Sequence, residues 1–269
     1  MSFDPSAVAE QCRARIAAAE LRVDPFPQIS VPGLFPDDFY EAFIAQIPPF
    51  TVFNDVGNFT GNLSSARLHE CCSHAPKLIE AFNAAQRAVA AALLDRFAPH
   101  FVQYARSLWP AAPADYVTRG TTFMDSQFGV VERLPGFSQG AHLDGVFRIL
   151  SVYVYLAQRG PVARAGTSVY RVTKIGDGHR PLSNMFSRTT DNVEVELAAV
   201  NDYDPNTLFA FLNSARSYHG VERFTAEQLA GNRRLSLNMY VNLHTFPVEY
   251  LIGQGLRDFG IQLTQPLRE

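Results

Sequence analysis

From Tyr116 onward the chain changes texture: short runs with apolar residues at alternate positions replace the helical spacing before them. Such runs occupy 121–131, 149–156, 168–172, 192–197, 207–212 and 234–241, with turn residues between them. Successive side chains of a strand point to opposite faces, so a period of two commits one face to a core. Six short strands at these spacings predict a sandwich or jelly roll.

The first part of the chain reads differently. Residues 7–21 carry Val8, Cys12, Ile16 and Ala19 at helical spacing, ended by Pro25 and Pro27. A short strand follows over 26–31. Pro36-Asp37-Asp38 opens a second helix to Ile47, stopped by Pro48-Pro49. Residues 75–100 form a long amphipathic helix with Leu78, Phe82, Ala85, Val89, Leu93 and Phe97 on one stripe, a core face rather than a cofactor box. Between them, 51–63 is rich in Gly and Asn and is expected to be a loop folded over a pocket. The expected class is mainly β with a helical annex (α+β). Residues 1–115 form a helical support packed on a jelly-roll core over 116–269, the whole being one continuous domain.

Composition narrows the function. A chain of 269 residues, 47% hydrophobic, buries a sizeable core. Its net charge of −3 offers no basic surface for nucleic acid. No run of 18 apolar residues spans a membrane, and no signal peptide opens the chain. Cys12, Cys71 and Cys72 are odd in number and lack zinc-site spacing, which suits a reduced, cytoplasmic protein.

Of the seven histidines, only His142 is followed two positions later by an acid, in Gly140-Ala141-His142-Leu143-Asp144. On an extended segment the imidazole and carboxylate face the same way. Alone, the motif fits equally a strand histidine hydrogen-bonded to its neighbour. Two later features tilt the reading. His219 lies in Ser217-Tyr218-His219-Gly220-Val221, just after the strand at 207–212, and Arg234-Leu235-Ser236 begins another alternating run. Two His and one carboxylate with vacant positions is a donor set used for non-haem Fe(II). An Arg on an apolar strand needs an anion, and its planar fork matches a carboxylate. Arg233 and Arg234 point oppositely; the Arg-x-Ser pattern makes Arg234 the inward one and leaves Arg233 as a solvated charge.

These motifs, with the strand Arg148-Ile149-Leu150-Ser151-Val152-Tyr153-Val154-Tyr155-Leu156, resemble the Fe(II)- and 2-oxoglutarate-dependent oxygenases. The segment from Asp24-Pro25-Phe26-Pro27 to Pro36-Asp37-Asp38-Phe39-Tyr40 is also similar to the opening strand and helix of bacterial prolyl-hydroxylase-like members. The resemblance, from about Asp24 to Val241, implies a double-stranded β-helix, a cupin-like jelly roll. It implies iron bound by His142, Asp144 and His219, and 2-oxoglutarate held by Arg234 and Ser236. Tyr155 matches a tyrosine that reaches the same carboxylate in such relatives, and Ser151, on the same strand face, is expected in that pocket. The implied reaction takes Fe(II), O2 and 2-oxoglutarate and hydroxylates an unactivated C–H of a small-molecule, amino-acid or peptidyl substrate, releasing succinate and CO2. Retention of Asp144 argues against halogenation, while desaturation, epimerisation and cyclisation stay open.

Arg148 and Gln127 are further substrate-binding candidates, with a strand-edge salt bridge and a core-edge amide as their plain alternatives. His179 and His244 read as surface histidines and Trp109 as a packing anchor; Gly166-Thr167 resembles the small-residue turn near this site in such relatives, with a tight turn as its plain alternative. Residues 51–63 and 176–191 are the lid candidates. Two rivals share the ligand set: a binding jelly roll without turnover, and a zinc-dependent cupin isomerase or hydrolase. Neither needs a carboxylate clamp.

Overall fold

The computed structural model describes residues 3–101, 103, 124–144, 148–176 and 193–243. The helices are α1 (Pro5–Ala18), α2 (Asp37–Ile44), α3 (Ser65–Cys71) and α4 (Pro76–Phe97). The strands are β1 (Leu21–Arg22), β2 (Gln28–Val31), β3 (Asn54–Asp55), β4 (Thr60–Ser64), β5 (Met124–Arg133), β6 (Gln139–His142), β7 (Arg148–Tyr155), β8 (Ser168–Ile175), β9 (Val193–Val200), β10 (Thr207–Leu212), β11 (His219–Val221) and β12 (Arg234–Leu243).

Capping explains where two of the helices begin. Asp4 accepts from the Ser6 N–H at 2.9 Å, with Pro5 as the first helical residue of α1. Ser64 accepts from Arg67 N–H at the start of α3. The stripe on α4 buries Phe82, Val89, Leu93 and Phe97 as its spacing requires, and Phe82 stacks on Phe43 of α2 with centroids 4.7 Å apart. Burying each such ring contributes roughly 1.5–3 kcal/mol.

The strands make two antiparallel sheets, ordered β1-β2-β10-β7-β12-β5-β4-β3 and β6-β11-β8-β9. Along the chain, β5, β7, β10 and β12 fall in the larger sheet and β6, β8, β9 and β11 in the smaller one. This shuttling is the topology of a double-stranded β-helix, so the expected jelly roll with helical annex is the fold. Period-two patterning decides what each face meets. Leu150, Val152, Val154, Leu235, Leu237 and Met239 pack with the helices in one core. Tyr153, Tyr155, Phe209 and Phe211 turn inward and pack with Val169 of the smaller sheet in another.

Three features depart from the sequence expectation. Residues 51–63 are not simply a loop: β3 and β4 form a hairpin there, and β4 pairs with β5, extending the larger sheet. Gly61 is required at that junction, because a Cβ would lie 2.6 Å from the Phe50 ring. Helix α3 and the short strands β6 and β11 went unanticipated; four- and three-residue strands carry too few alternations to show a period. Arg233 is not a solvated charge either. Its Nε donates to Glu132 at 3.0 Å and its Nη2 to Pro48 O at 2.9 Å, on the helix side of the sheet.

Cys12 and Cys72 are buried and Cys71 is partly so, all as free thiols. Burial pushes the Cys12 thiol up to about 12. No helix among the described residues is long and apolar enough to cross a membrane. The boundary expected near residue 115, together with Trp109, His179, His244 and most of 176–191, lies outside the described residues, as does the side chain of Gln127.

Candidate metal centre

β6 and β11 are neighbours in the smaller sheet, with His142 directly opposite His219. Residues so opposed share a face, and the two rings meet with centroids 4.3 Å apart. Gly220 allows the close approach of these strands, since a Cβ there would stand 2.5 Å from Gln139 O. Asp144 lies two residues past the end of β6, its Oδ2 3.7 Å from His219 Nε2. One ligand atom from each of the three lies within 4.8 Å of the others. With metal–ligand bonds of about 2.0–2.2 Å, donors at right angles on one ion stand about 3 Å apart, so the three side chains would draw inward around an ion.

The tautomers suit that role. His142 Nδ1 faces the carbonyl of Gly140 at 2.9 Å and His219 Nδ1 that of Ser217 at 3.1 Å. A carbonyl only accepts, so each Nδ1 carries the proton and each Nε2 presents a lone pair. Burial lowers the pKa of His142, and burial with the adjacent His142 lowers that of His219 to about 4. Both rings are therefore neutral near pH 7, as ligation requires. At present Gln139 Nε2 donates to His142 Nε2 at 2.9 Å, and Tyr153 OH lies 3.4 Å from His219 Nε2.

Asp144 is held as a carboxylate. Burial alone would raise its pKa, but His219, Arg148 and the Ser151 hydroxyl override that and bring it down to about 2. Arg148 Nη1 meets Oδ1 at 2.9 Å, its guanidinium 3.4 Å from the Tyr240 ring centroid. Ser151 Oγ donates to Oδ2 and accepts from Asn213 Nδ2 at 2.9 Å. Ser151 thus sits under the acidic ligand, four positions along β7 from Tyr155.

The inward face of β12 supplies the other end of the site. Arg234 is 3% exposed and donates from Nε to Ala165 O at 2.8 Å and from Nη2 to Gly166 O at 3.1 Å. Burial, then the charge of Arg133, lowers its pKa to about 9. Ser236 accepts from Arg133 Nη1 at 3.3 Å and donates to Asn238 Oδ1 at 2.7 Å. Tyr155 OH donates to Thr167 Oγ1 at 2.8 Å and accepts from Thr167 N–H at 2.9 Å. Gly166 is small for a reason: a Cβ would lie 2.7 Å from the carbonyl oxygens of Asn201 and Asp202 and 3.0 Å from Tyr155 OH.

A narrow cavity of about 20 Å³ lies between the two ends, lined by His142 and His219 on one side and Tyr155, Arg234 and Ser236 on the other. The structure thus brings together every sequence-derived candidate on β7 and β12, but splits them: Ser151 and Arg148 serve the Asp144 end, Tyr155 and Ser236 the Arg234 end. Sequence reasoning missed Arg133, Gln139 and Tyr153, which line the cavity together with Thr167. Arg133 has the inward parity of β5, a signal lost because the strand was expected to end at Val131.

No family model matches the sequence, and no curated protein does. Solved structures give distant likenesses. A prolyl-4-hydroxylase from Pseudomonas putida is 16% identical, with 90% of this chain and 96% of that chain covered at a TM-score of 0.37. HygX from Streptomyces hygroscopicus, solved with nickel and 2-oxoglutarate bound, is 14% identical over 81% and 83% at 0.41. The Fe(II)/α-ketoglutarate-dependent dioxygenase TqaL is 11% identical over 90% and 89% at 0.39. At this distance the likeness decides neither activity nor substrate, which have to be argued from the site.

Proposed function

We propose that this chain is an Fe(II)- and 2-oxoglutarate-dependent dioxygenase that hydroxylates a small-molecule, amino-acid or peptidyl substrate. One observation carries the reading: the two buried histidines of a two-histidine, one-carboxylate cluster face a buried guanidinium across a small cavity. His142, Asp144 and His219 would hold the metal. Bound there, Fe(II) would supply vacant positions for a 2-oxo acid and for dioxygen, and dioxygen would be the oxidant for C–H cleavage.

The chain's own residues account for the rest. The Arg234 fork, with two donors fixed on backbone carbonyls, directs its remaining N–H groups to a carboxylate. Ser236 and the Tyr155–Thr167 pair flank that position with hydroxyls. Ser151 and Arg148 keep Asp144 ionised and oriented, while the Gly140 and Ser217 carbonyls hold the imidazole protons away from the metal side. Tyr153, Phe209 and Phe211 keep water from this end of the barrel. A zinc enzyme or a binding jelly roll would use the same three ligands but would leave Arg234 buried without purpose.

The test is anaerobic loading with Fe(II), then O2 uptake and succinate formation with and without 2-oxoglutarate. Both are expected to depend on 2-oxoglutarate in the wild type and to vanish in Asp144→Ala. Tight zinc binding with no 2-oxoglutarate-dependent O2 uptake, or full turnover in Asp144→Ala, would overturn the assignment.

A further inference from the structure

Arg133, the last residue of β5, lies directly opposite Arg234 of β12. Two guanidiniums therefore share the inward face of the larger sheet, an arrangement that is destabilising unless anions are supplied. The partners of Arg133 are neutral. Its Nη1 donates to Ser236 Oγ at 3.3 Å, its guanidinium sits 5.1 Å from the Phe137 ring centroid, and its Nε is buried without an acceptor. Among the described residues no carboxylate pairs with Arg133 or Arg234. Glu132 points to the opposite face and is held by Arg233, and Asp144 is held by Arg148.

On the reading given under Proposed function, 2-oxoglutarate brings one carboxylate to the metal and one to Arg234. That leaves a guanidinium over. Arg133 also has a second outlook. An open groove between the β3–β4 hairpin tip (Val56, Gly57, Asn58) and Ser138 runs to the metal cavity, and Arg133, Gln139 and His142 line both. Arg133 thus stands where the groove enters the site, within the same cavity as the metal ligands.

We infer that the substrate carries an acidic group, a carboxylate or a phosphate, which docks on Arg133 as the substrate enters along this groove. The reading of the site as a 2-oxo-acid oxygenase is its premise. The cavity places that anchor beside the metal, so the C–H that reacts belongs to a carbon near the acid rather than at the far end of a long chain.

The test uses calorimetric titration of the whole chain loaded with Ni(II), a redox-inert ion, and saturating 2-oxoglutarate. The probes are inorganic phosphate, N-acetylglycine, and N-acetylglycinamide as the neutral control. At least one anion is expected to bind and the amide not to. Arg133→Gln is expected to weaken the anion at least tenfold while changing 2-oxoglutarate affinity less than threefold, and Arg133→Lys to retain part of the binding. Thermal melts confirm that both variants fold, and loss of wild-type binding in high salt reports the same contact without a mutation. Whichever probe binds identifies the acid as phosphate or carboxylate. Binding of neither anion, equal binding to Arg133→Gln, or equal binding of the amide would overturn the inference. A fall in 2-oxoglutarate affinity on Arg133→Gln would reassign Arg133 to the cosubstrate. Should the wild type bind no 2-oxoglutarate, the oxygenase reading fails on its own, and the anions titrated without it still test the Arg133 site.

Discussion

Ser151→Ala separates two roles for one hydroxyl. The resemblance drawn from the sequence implies that Ser151 belongs with 2-oxoglutarate, whereas the structure puts its Oγ on Asp144 Oδ2, with Asn213 Nδ2 donating to it at 2.9 Å. Ser151 is fully buried, so water cannot replace the lost group. A hydrogen bond to a charged group is worth about 1.5–3 kcal/mol. For a domain of this size each kcal/mol moves Tm by about 2–4 °C, so the metal-free variant should melt about 3–12 °C lower. Removing a residue that orients a metal ligand costs about 10- to 100-fold in metal affinity, or about 1.4–2.8 kcal/mol. The assay is Ni(II) titration of both proteins, followed by 2-oxoglutarate titration at saturating Ni(II). Weaker nickel binding with 2-oxoglutarate affinity nearly unchanged is expected. Wild-type nickel affinity combined with weakened 2-oxoglutarate binding would refute the positioning role and restore Ser151 to the cosubstrate.

Gln139→Ala should raise Ni(II) affinity about fivefold, because the amide now occupying the His142 Nε2 lone pair is worth about 1 kcal/mol; weaker binding would mean that Gln139 supports the loaded site. Gly166→Ala should cost about 1–3 kcal/mol by overpacking against Asn201 O and Asp202 O and should weaken 2-oxoglutarate binding by displacing Tyr155; a melting temperature equal to wild type would contradict the close packing. The metal-free chain should lose stability in acid in a defined window. The histidine pKa values are depressed on folding, so their contribution is complete above the unfolded value, about 6.5, and declines as pH falls toward 4. Asp144, also depressed, adds a further loss below about pH 4, extending toward 2. A Tm that stays level from pH 7 to pH 4 would rule out the two neutral, buried imidazoles.

Much of the architecture was legible from local chemistry. Alternation in 149–156, 207–212 and 234–241 carries a strand and both of its faces, so Arg234 and Ser236 share the inward face and Leu235 and Leu237 the other. Helix α4 was equally plain, since six apolar residues at helical spacing over 22 positions leave little else for it to be. His142, Asp144 and His219 could be named as one donor set because the residue types and their places near strand ends were enough.

What local pattern could not carry is who stands opposite whom. Pairing of β6 with β11 puts His142 against His219, and pairing of β12 with β5 sets Arg133 against Arg234. Both depend on register between segments far apart in sequence, and neither partner's own neighbours encode it. The same holds for Ser151, whose strand face was readable but whose partner was not. Its parity directed it inward, and only the return of the chain at Asp144 set its hydroxyl on that carboxylate. Residue types and their periodicity set the fold and the stock of reactive groups. Long-range pairing, which spends chain entropy on contacts no local segment can specify, converted that stock into a site.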